Sequence, residues 1–102
     1  MKIRLLRPAV EDLWSGHVFY DRQRPGLGSG FFNRIFAEID SLAKRAGFHR
    51  MVFSYHRSLS KRFPYAIYYR ISGEEIVIAR VINCRRNPNW IRTALGRTHE
   101  ER

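Results

Sequence analysis

The sequence predicts an α+β domain in the order β-α-α-β-β-β, a mostly antiparallel curved sheet with a helical hairpin on one face. Two periodicities predict this class. Apolar residues recur at helical spacing in the first half, and they alternate with a period of two from Arg50 onward. The length of 102 residues suits one domain. We assign residues 1–97 to that domain and residues 98–102 to a frayed tail.

The first half of the chain reads as a short strand followed by two helices. Residues 2–7 predict the strand, and a helix follows from about Ala9 to Arg22. Pro8 suits the first helical position, where its missing N–H is not needed. Glu11 and Asp12 are expected in the first turn, where acidic side chains complement the helix dipole.

A glycine-rich segment, residues 24–30, separates the two helices. It lacks both the preceding strand and the Gly-Lys-Ser/Thr of a phosphate-binding loop, so it predicts a tight turn instead. Leu27 is expected to pack into the core as this turn closes. The second helix should run from Phe31 or Phe32 to Ala46, with Gly47 ending it.

The second half predicts three strands, over residues 51–59, 63–71 and 75–83. Pro64 lacks a backbone donor and belongs at a strand start. Gly73 supplies the hairpin turn between the last two strands. Residues 89–97 would form a short helix or a tail.

The last strand is expected to lie inside the sheet because both of its faces are largely apolar. Strict alternation puts Ile76, Ile78, Arg80 and Ile82 on one face, and Val77, Ala79, Val81 and Asn83 on the other. The sheet face away from the helical hairpin would then stay partly open and basic.

Charge and cysteine content narrow the classes of partner and cofactor. The net charge of +10 indicates a surface that attracts nucleic acid or acidic protein. A single cysteine, Cys84, excludes an internal disulfide and a cysteine-based zinc site, and its run of β-formers predicts a buried structural thiol. We expect no metal or organic cofactor. We also expect a cytoplasmic protein with no membrane partner, since no signal peptide or long apolar run is present.

Several local motifs occur in a characteristic order. They are Ala9-(x)2-Asp12-Leu13, Pro25-Gly26-Leu27-Gly28-(x)2-Phe31, Phe63-Pro64-Tyr65-(x)2-Tyr68-Tyr69, and the run from Val81 to Pro88. Together they span about residues 3–91, and in this order the chain resembles the RelE/ParE superfamily of type II toxin–antitoxin (plasmid stabilisation) systems. The resemblance implies a small basic toxin that a cognate acidic antitoxin neutralises. One branch cuts mRNA on the ribosome, and the ParE branch inhibits DNA gyrase.

The ribonuclease branch would need a base, a cation on the scissile phosphate and an acid. The resemblance offers His56, Arg57 and Arg86 for this set, with Lys61 in support. Ala66 stands where such toxins carry an arginine, and Asn83-Cys84 stands where they often carry His-Gly. A terminal acid could come only from His99 in the tail.

These departures favour a ParE-like toxin that inhibits growth by binding DNA gyrase. A ribosome-dependent, metal-independent mRNA endonuclease is the alternative, and a non-toxic basic nucleic-acid-binding module is the third reading. The residues expected to bind a partner are Arg57, Arg62, Arg85, Arg86 and Trp90. An acidic antitoxin would cover these residues or add a strand to an open sheet edge, giving a toxin–antitoxin hetero-oligomer.

Overall fold

The computed structural model, which describes residues 1–98, places a helical hairpin on one face of a mixed sheet and a third helix on the other. The strands are β1 (Lys2–Leu5), β2 (Met51–Val52), β3 (Tyr55–Leu59), β4 (Tyr65–Ser72) and β5 (Glu75–Asn83). The helices are α1 (Arg7–Gln23), α2 (Leu27–Arg45) and α3 (Pro88–Thr98).

The sheet has the strand order β1-β5-β4-β3-β2. β1 runs parallel to β5, with Ile3 opposite Ile76, and the remaining neighbours are antiparallel. The predicted α+β class, the helical hairpin and the interior position of β5 are therefore confirmed. Gly73, at a φ of 59°, supplies the β4–β5 turn as expected.

Each face of the sheet carries its own apolar cluster. On the hairpin face, Tyr65, Ile67 and Tyr69 of β4 pack with buried residues of α1 and α2 such as Leu13 and Phe31. On the opposite face, a second cluster is covered by α3. Its buried members are Leu6, Tyr55, Ala66, Tyr68, Val77, Ala79, Ile82, Ile91, Ala94 and Leu95. The sequence predicted that this face is left partly open and basic; α3 covers part of it, because the apolar side of that helix needs a surface on which to bury.

A register shift in β5 breaks the predicted alternation. Tyr68 lies opposite Arg80 while Tyr69 lies opposite Ile78, so Ala79 is an extra residue in β5. After the shift, Val81 joins the hairpin-side cluster and Ile82 joins the cluster under α3. The prediction that Ile82 shares the face of Ile76 and Ile78 was therefore wrong.

Helix α1 begins earlier than predicted. The carbonyl of buried Leu6 accepts hydrogen bonds from the N–H groups of Ala9 and Val10, at 3.0 and 3.2 Å, so the first helical residue is Arg7. The first turn consequently contains no acidic residue. Glu11 and Asp12 lie beyond it, which corrects their expected role at the helix dipole.

Helix α2 also begins earlier, at Leu27 rather than Phe31. Gly26 makes the turn with a φ of 89°. Asp21 Oδ1 accepts the N–H groups of Gly26 and Gly28, at 3.0 and 3.2 Å, and so satisfies donors at the start of the helix. The glycine-rich segment is thus partly helical, while Leu27 packs against the core as expected.

The predicted strand over residues 51–59 is split in two. Phe53 and Ser54 both have positive φ, 51° and 71°, and they turn the chain between β2 and β3. At the other end, Thr98, which was assigned to the tail, is the buried last residue of α3. The rest of that tail, residues 99–102 with His99, lies outside the described residues.

Candidate functional site

The candidate site lies at the end of the sheet where β4 begins and β5 ends. The Cys84 N–H donates a 2.7 Å hydrogen bond to the carbonyl of Pro64, so the β3–β4 loop and the β5–α3 turn lie side by side. These segments and their neighbours carry the residues expected to bind a partner. We call the group Arg57, Arg62, Arg85, Arg86 and Trp90 the basic end.

Two asparagines shape the turn that presents Arg85 and Arg86. Asn83 Oδ1 accepts the Arg85 N–H at 2.8 Å, and the Asn83 carbonyl accepts the Arg86 N–H at 3.1 Å. Asn87 Oδ1 then accepts the Asn89 N–H at 2.8 Å and caps α3, which begins at Pro88. The local sequence therefore fixes both arginines between a strand end and a helix start.

Arg86 stacks on Trp90. Its guanidinium carbon lies 3.6 Å from the centroid of the indole ring, and that of Arg80 lies 5.8 Å away. Trp90 is 39% exposed. Stacking uses the face of a guanidinium and not its in-plane donors, so Arg86 is oriented to receive a carboxylate or phosphate.

A cavity of about 380 Å³ opens beside this pair, between α1 and β5. Phe19, Tyr65 and Trp90 supply aromatic walls, and Arg86 and Asn83 supply polar groups. Burial raises the pKa of Tyr65 and a hydrogen bond from Asn83 opposes the shift, so the phenol stays protonated. The cavity therefore suits an apolar side chain next to an anionic group.

Arg57 and Cys84 lie near each other on the α3 side of the sheet. Partial desolvation raises the pKa of the Cys84 thiol, although the residue lies at the surface, and the charge of Arg57 opposes that rise. Burial likewise raises the pKa of Tyr68, opposite Arg57, and the charge of Arg57 opposes it. Cys84 is exposed, so its predicted burial was wrong: β5 ends at Asn83 and the chain turns outward there. With its pKa raised, the thiol is a poor nucleophile.

His56 lies on the opposite face of β3 from Arg57. It pairs with Tyr69, stacks on its ring at 5.0 Å, and its Nδ1 donates a 2.8 Å hydrogen bond to the carbonyl of His49. Lys61, in the β3–β4 loop, donates its backbone N–H to Glu38 of α2. The structure thus brings Arg57, Arg85 and Arg86 to one end of the sheet and places His56 on the hairpin side.

The helical hairpin also presents aromatic rings to solvent. Trp14 is 61% exposed, and its indole stacks on His17 with 5.3 Å between the ring centroids. His17 contacts Phe32 at 5.2 Å, and Phe32 contacts Phe36 at 5.3 Å. Phe36 is 38% exposed, and the spacings of three residues in α1 and four residues in α2 are those that bring side chains together on one helix surface.

Within residues 1–98, no three side chains of the His, Cys, Asp or Glu type group closely enough to hold a metal ion. No helix in that part of the chain combines the length and apolar character needed to cross a membrane.

Comparison with known proteins supports the fold. No family model matches the sequence, and no curated protein matches it either. Among solved structures, the chain is similar to one from a chromosomal ParDE TA (toxin–antitoxin) system of P. aeruginosa, with a TM-score of 0.72 and 22% identity. The match covers 81% of this chain and 95% of the other. The RelE/ParE-like fold expected from the sequence is thereby confirmed.

Proposed function

We propose that this protein is the toxin of a type II toxin–antitoxin pair, that it acts in the ParE manner by binding DNA gyrase, and that an acidic antitoxin neutralises it. The observation that carries the proposal is the RelE/ParE-like fold combined with the basic end. Gyrase and the antitoxin would both be met in the cytoplasm.

The placement of the candidate catalytic residues supports binding over RNA cleavage. A base and a phosphate-binding cation must reach one scissile phosphate together. His56 and Arg57 project from opposite faces of β3, and Arg86 lies beyond the end of β5. A ribosome-dependent endonuclease would therefore need a catalytic site other than one formed by His56, Arg57 and Arg86.

The basic end fits an acidic antitoxin segment. Arg57, Arg62, Arg85 and Arg86 offer in-plane donors for carboxylates, while the cavity beside Trp90 accepts an apolar side chain. Strand addition at the β2 edge of the sheet is also possible, because within residues 1–98 β2 pairs with Tyr55 and His56 of β3 and with no other strand. The antitoxin would then bind through both charge and shape.

A gyrase assay tests the mode of action. Purified protein should inhibit supercoiling of relaxed plasmid by DNA gyrase, and induced expression in bacteria should stop growth and activate the DNA-damage response. The double variant Arg86→Ala/Trp90→Ala should lose most of this inhibition. Arg24→Ala, which removes an exposed arginine from the α1–α2 turn, is the matched control and should behave as wild type.

Two other outcomes would contradict the proposal. Codon-phased mRNA cuts in a translating extract, with gyrase unaffected and Arg86→Ala blocking the cuts, would establish the endonuclease. Normal growth on expression, together with salt-dependent and sequence-indifferent binding to RNA or DNA, would indicate a basic nucleic-acid-binding module without a toxic target.

A further inference from the structure

The outward side of α1 presents apolar side chains to solvent. Trp14 and Phe19 are 61% and 51% exposed, and both rings line an open groove of about 520 Å³. With Glu11 at one end, the lining residues form a surface that we call the α1 face; it consists of Glu11, Trp14, Ser15, Val18, Phe19, Arg22 and Gln23. Exposed aromatic rings grouped on one helix mark a surface that binds protein.

The helical hairpin is electrically neutral at pH 7, although the whole chain has a net charge of +10. Helices α1 and α2 carry five basic and five acidic side chains, which are Arg7, Arg22, Arg34, Lys44 and Arg45 against Glu11, Asp12, Asp21, Glu38 and Asp40. Two copies of this chain repel each other through their basic surfaces, and that repulsion is weakest at the hairpin. An acidic segment gains less there than at the basic end.

The two ends of the α1 face have charges of opposite sign. Glu11 and Arg22 are both exposed and lie eleven residues apart, close to three turns of helix, so they stand on one line along α1. A rise of about 1.5 Å per residue separates them by about 16 Å, which is too far for a pair within one chain. If α1 of a second copy lies antiparallel, each Glu11 faces the Arg22 of the other copy. A two-fold axis between the helices makes this contact twice.

The apolar residues of the α1 face are arranged about the same axis. The midpoint of the two charges lies between residues 16 and 17, and Trp14 and Phe19 share that midpoint. In an antiparallel pair, each Trp14 therefore meets the Phe19 of the other copy. Ser15 and Val18 also share it, and their short side chains next to the axis let the two helices approach closely. We propose that this chain forms a dimer through the α1 face, with the two α1 helices antiparallel.

Sedimentation velocity of the purified full chain, over a series of micromolar concentrations, tests the proposal. The mass should rise to about 24 kDa, twice the 12.1 kDa of one chain. Trp14→Ala should raise the dissociation constant of the dimer by about thirtyfold, the effect of truncating a central aromatic side chain. Phe48→Ala is the matched control, because it removes an 87% exposed ring that follows α2 and lies outside the α1 face. It should leave the dissociation constant unchanged.

Charge reversal tests the antiparallel arrangement itself. Glu11→Arg and Arg22→Glu should each weaken the dimer by about tenfold, because each places like charges opposite one another. The double variant should recover most of the affinity, since every pair across the axis again has opposite signs. Glu74→Arg makes the same charge change as Glu11→Arg in the exposed β4–β5 turn and should leave the dimer unchanged.

Three results would overturn the proposal. They are a mass of 12.1 kDa at every concentration, a dimer that Trp14→Ala does not weaken, and a double charge variant that is as weak as the two single variants. Circular dichroism melts check that each variant is folded. The proposal does not depend on the gyrase-directed function, because the chain is measured alone and the basic end is unchanged in every variant.

Discussion

Asp12 of α1 binds Arg80 and the backbone of Val81 at the same time, and so closes the edge of β5. Its Oδ2 accepts hydrogen bonds from Arg80 Nε at 2.7 Å and from the Val81 N–H at 2.9 Å, and its Oδ1 accepts one from Arg80 Nη2 at 2.8 Å. β1 pairs with β5 only as far as Ile78. Beyond that point, a helix carboxylate replaces the missing strand.

Asp12→Ala should destabilise the fold. The two side chains are only 14% and 15% exposed, and the hydrogen bonds that Arg80 donates to Asp12 raise the pKa of Arg80. Removal of the carboxylate therefore leaves a partly buried cation unpaired. Breaking such a pair costs about 3 kcal/mol. The free energy of unfolding, measured by urea denaturation, should fall by about that amount.

Glu75→Ala is the matched control for this prediction. Glu75 pairs with Arg4 across β1 and β5, but those side chains are 38% and 43% exposed. An exposed ion pair contributes less than about 1 kcal/mol. Equal losses of unfolding free energy in the Glu75→Ala and Asp12→Ala variants would show that the Asp12–Arg80 pair stabilises the fold no more than an exposed ion pair does.

Two glycines of α2 should respond to alanine in opposite directions. A Cβ on Gly28 would overlap the backbone carbonyl oxygen of His17 in α1, which cannot move independently, whereas a Cβ on Gly30 meets nothing within 4 Å. Gly28→Ala should therefore cost about 2 kcal/mol through overpacking. Gly30→Ala should gain about 0.5–1 kcal/mol, since alanine favours the helix.

Thermal and urea unfolding of both variants check this pair. A Gly28→Ala protein as stable as wild type would mean that α1 and α2 separate at little cost. That result would contradict the tight helical hairpin described above, while Gly30→Ala controls for the helix propensity of alanine.

The sequence was sufficient to predict the order of the elements but not their exact ends. Periodicity locates α1, α2, β4 and β5 because each buries one side or both sides. The sequence did not show the β5 bulge at Ala79, because both faces of β5 are largely apolar and a slip in the alternation changes that pattern little. The cover provided by α3 depends on a long-range contact that local patterns do not contain.

The candidate site was partly predictable. Arg85, Arg86 and Trp90 are close in the chain, and a strand end followed by a capped helix keeps them close in space. Other features depend on pairing between distant segments. The Asp12–Arg80 contact and the hydrogen bond from Lys61 to Glu38 arise from how α1 and α2 lie on the sheet, and no spacing in the sequence encodes them.

Stability should fall as the solution becomes mildly acidic, through His49. Burial, and then the charges of His56 and Arg45, lower the pKa of His49 below its ordinary value of 6.5. The unfolded chain therefore takes up a proton before the folded one does. The contribution of His49 to the free energy of unfolding is fully present above pH 6.5 and is lost as the pH falls through the lowered pKa of the folded state.

Denaturation measured from about pH 8 to about pH 5 gives the change in the free energy of unfolding with pH. This change should be smaller in the His49→Gln variant than in the wild type. NMR titration of the ring protons reads the pKa of His49 directly. Arg45→Ala should raise that pKa, because it removes one of the charges that lower it, and Lys44→Ala should not. A wild-type His49 titrating at or above 6.5 would exclude this role.

Glycine should stabilise the protein at one of the two positive-φ residues of the β2–β3 turn and not at the other. Ser54 is exposed at a φ of 71°, a conformation that costs a residue with a Cβ about 1 kcal/mol, so Ser54→Gly should stabilise the protein by about that amount. Phe53, at a φ of 51°, carries the same strain, but its half-buried ring packs on the cluster under α3. That ring also lies 5.3 Å from the guanidinium of Arg92.

Phe53→Gly should therefore give no net gain, because lost packing offsets the relieved strain. Urea denaturation gives the stability of both variants. Adding Arg92→Ala to each variant measures how much the contact between the Phe53 ring and Arg92 of α3 contributes to that stability. Equal stabilisation by the two glycines would mean that the Phe53 ring contributes nothing to the docking of α3. An Arg92→Ala cost that disappears in the Phe53→Gly background would show that the two side chains act as one contact.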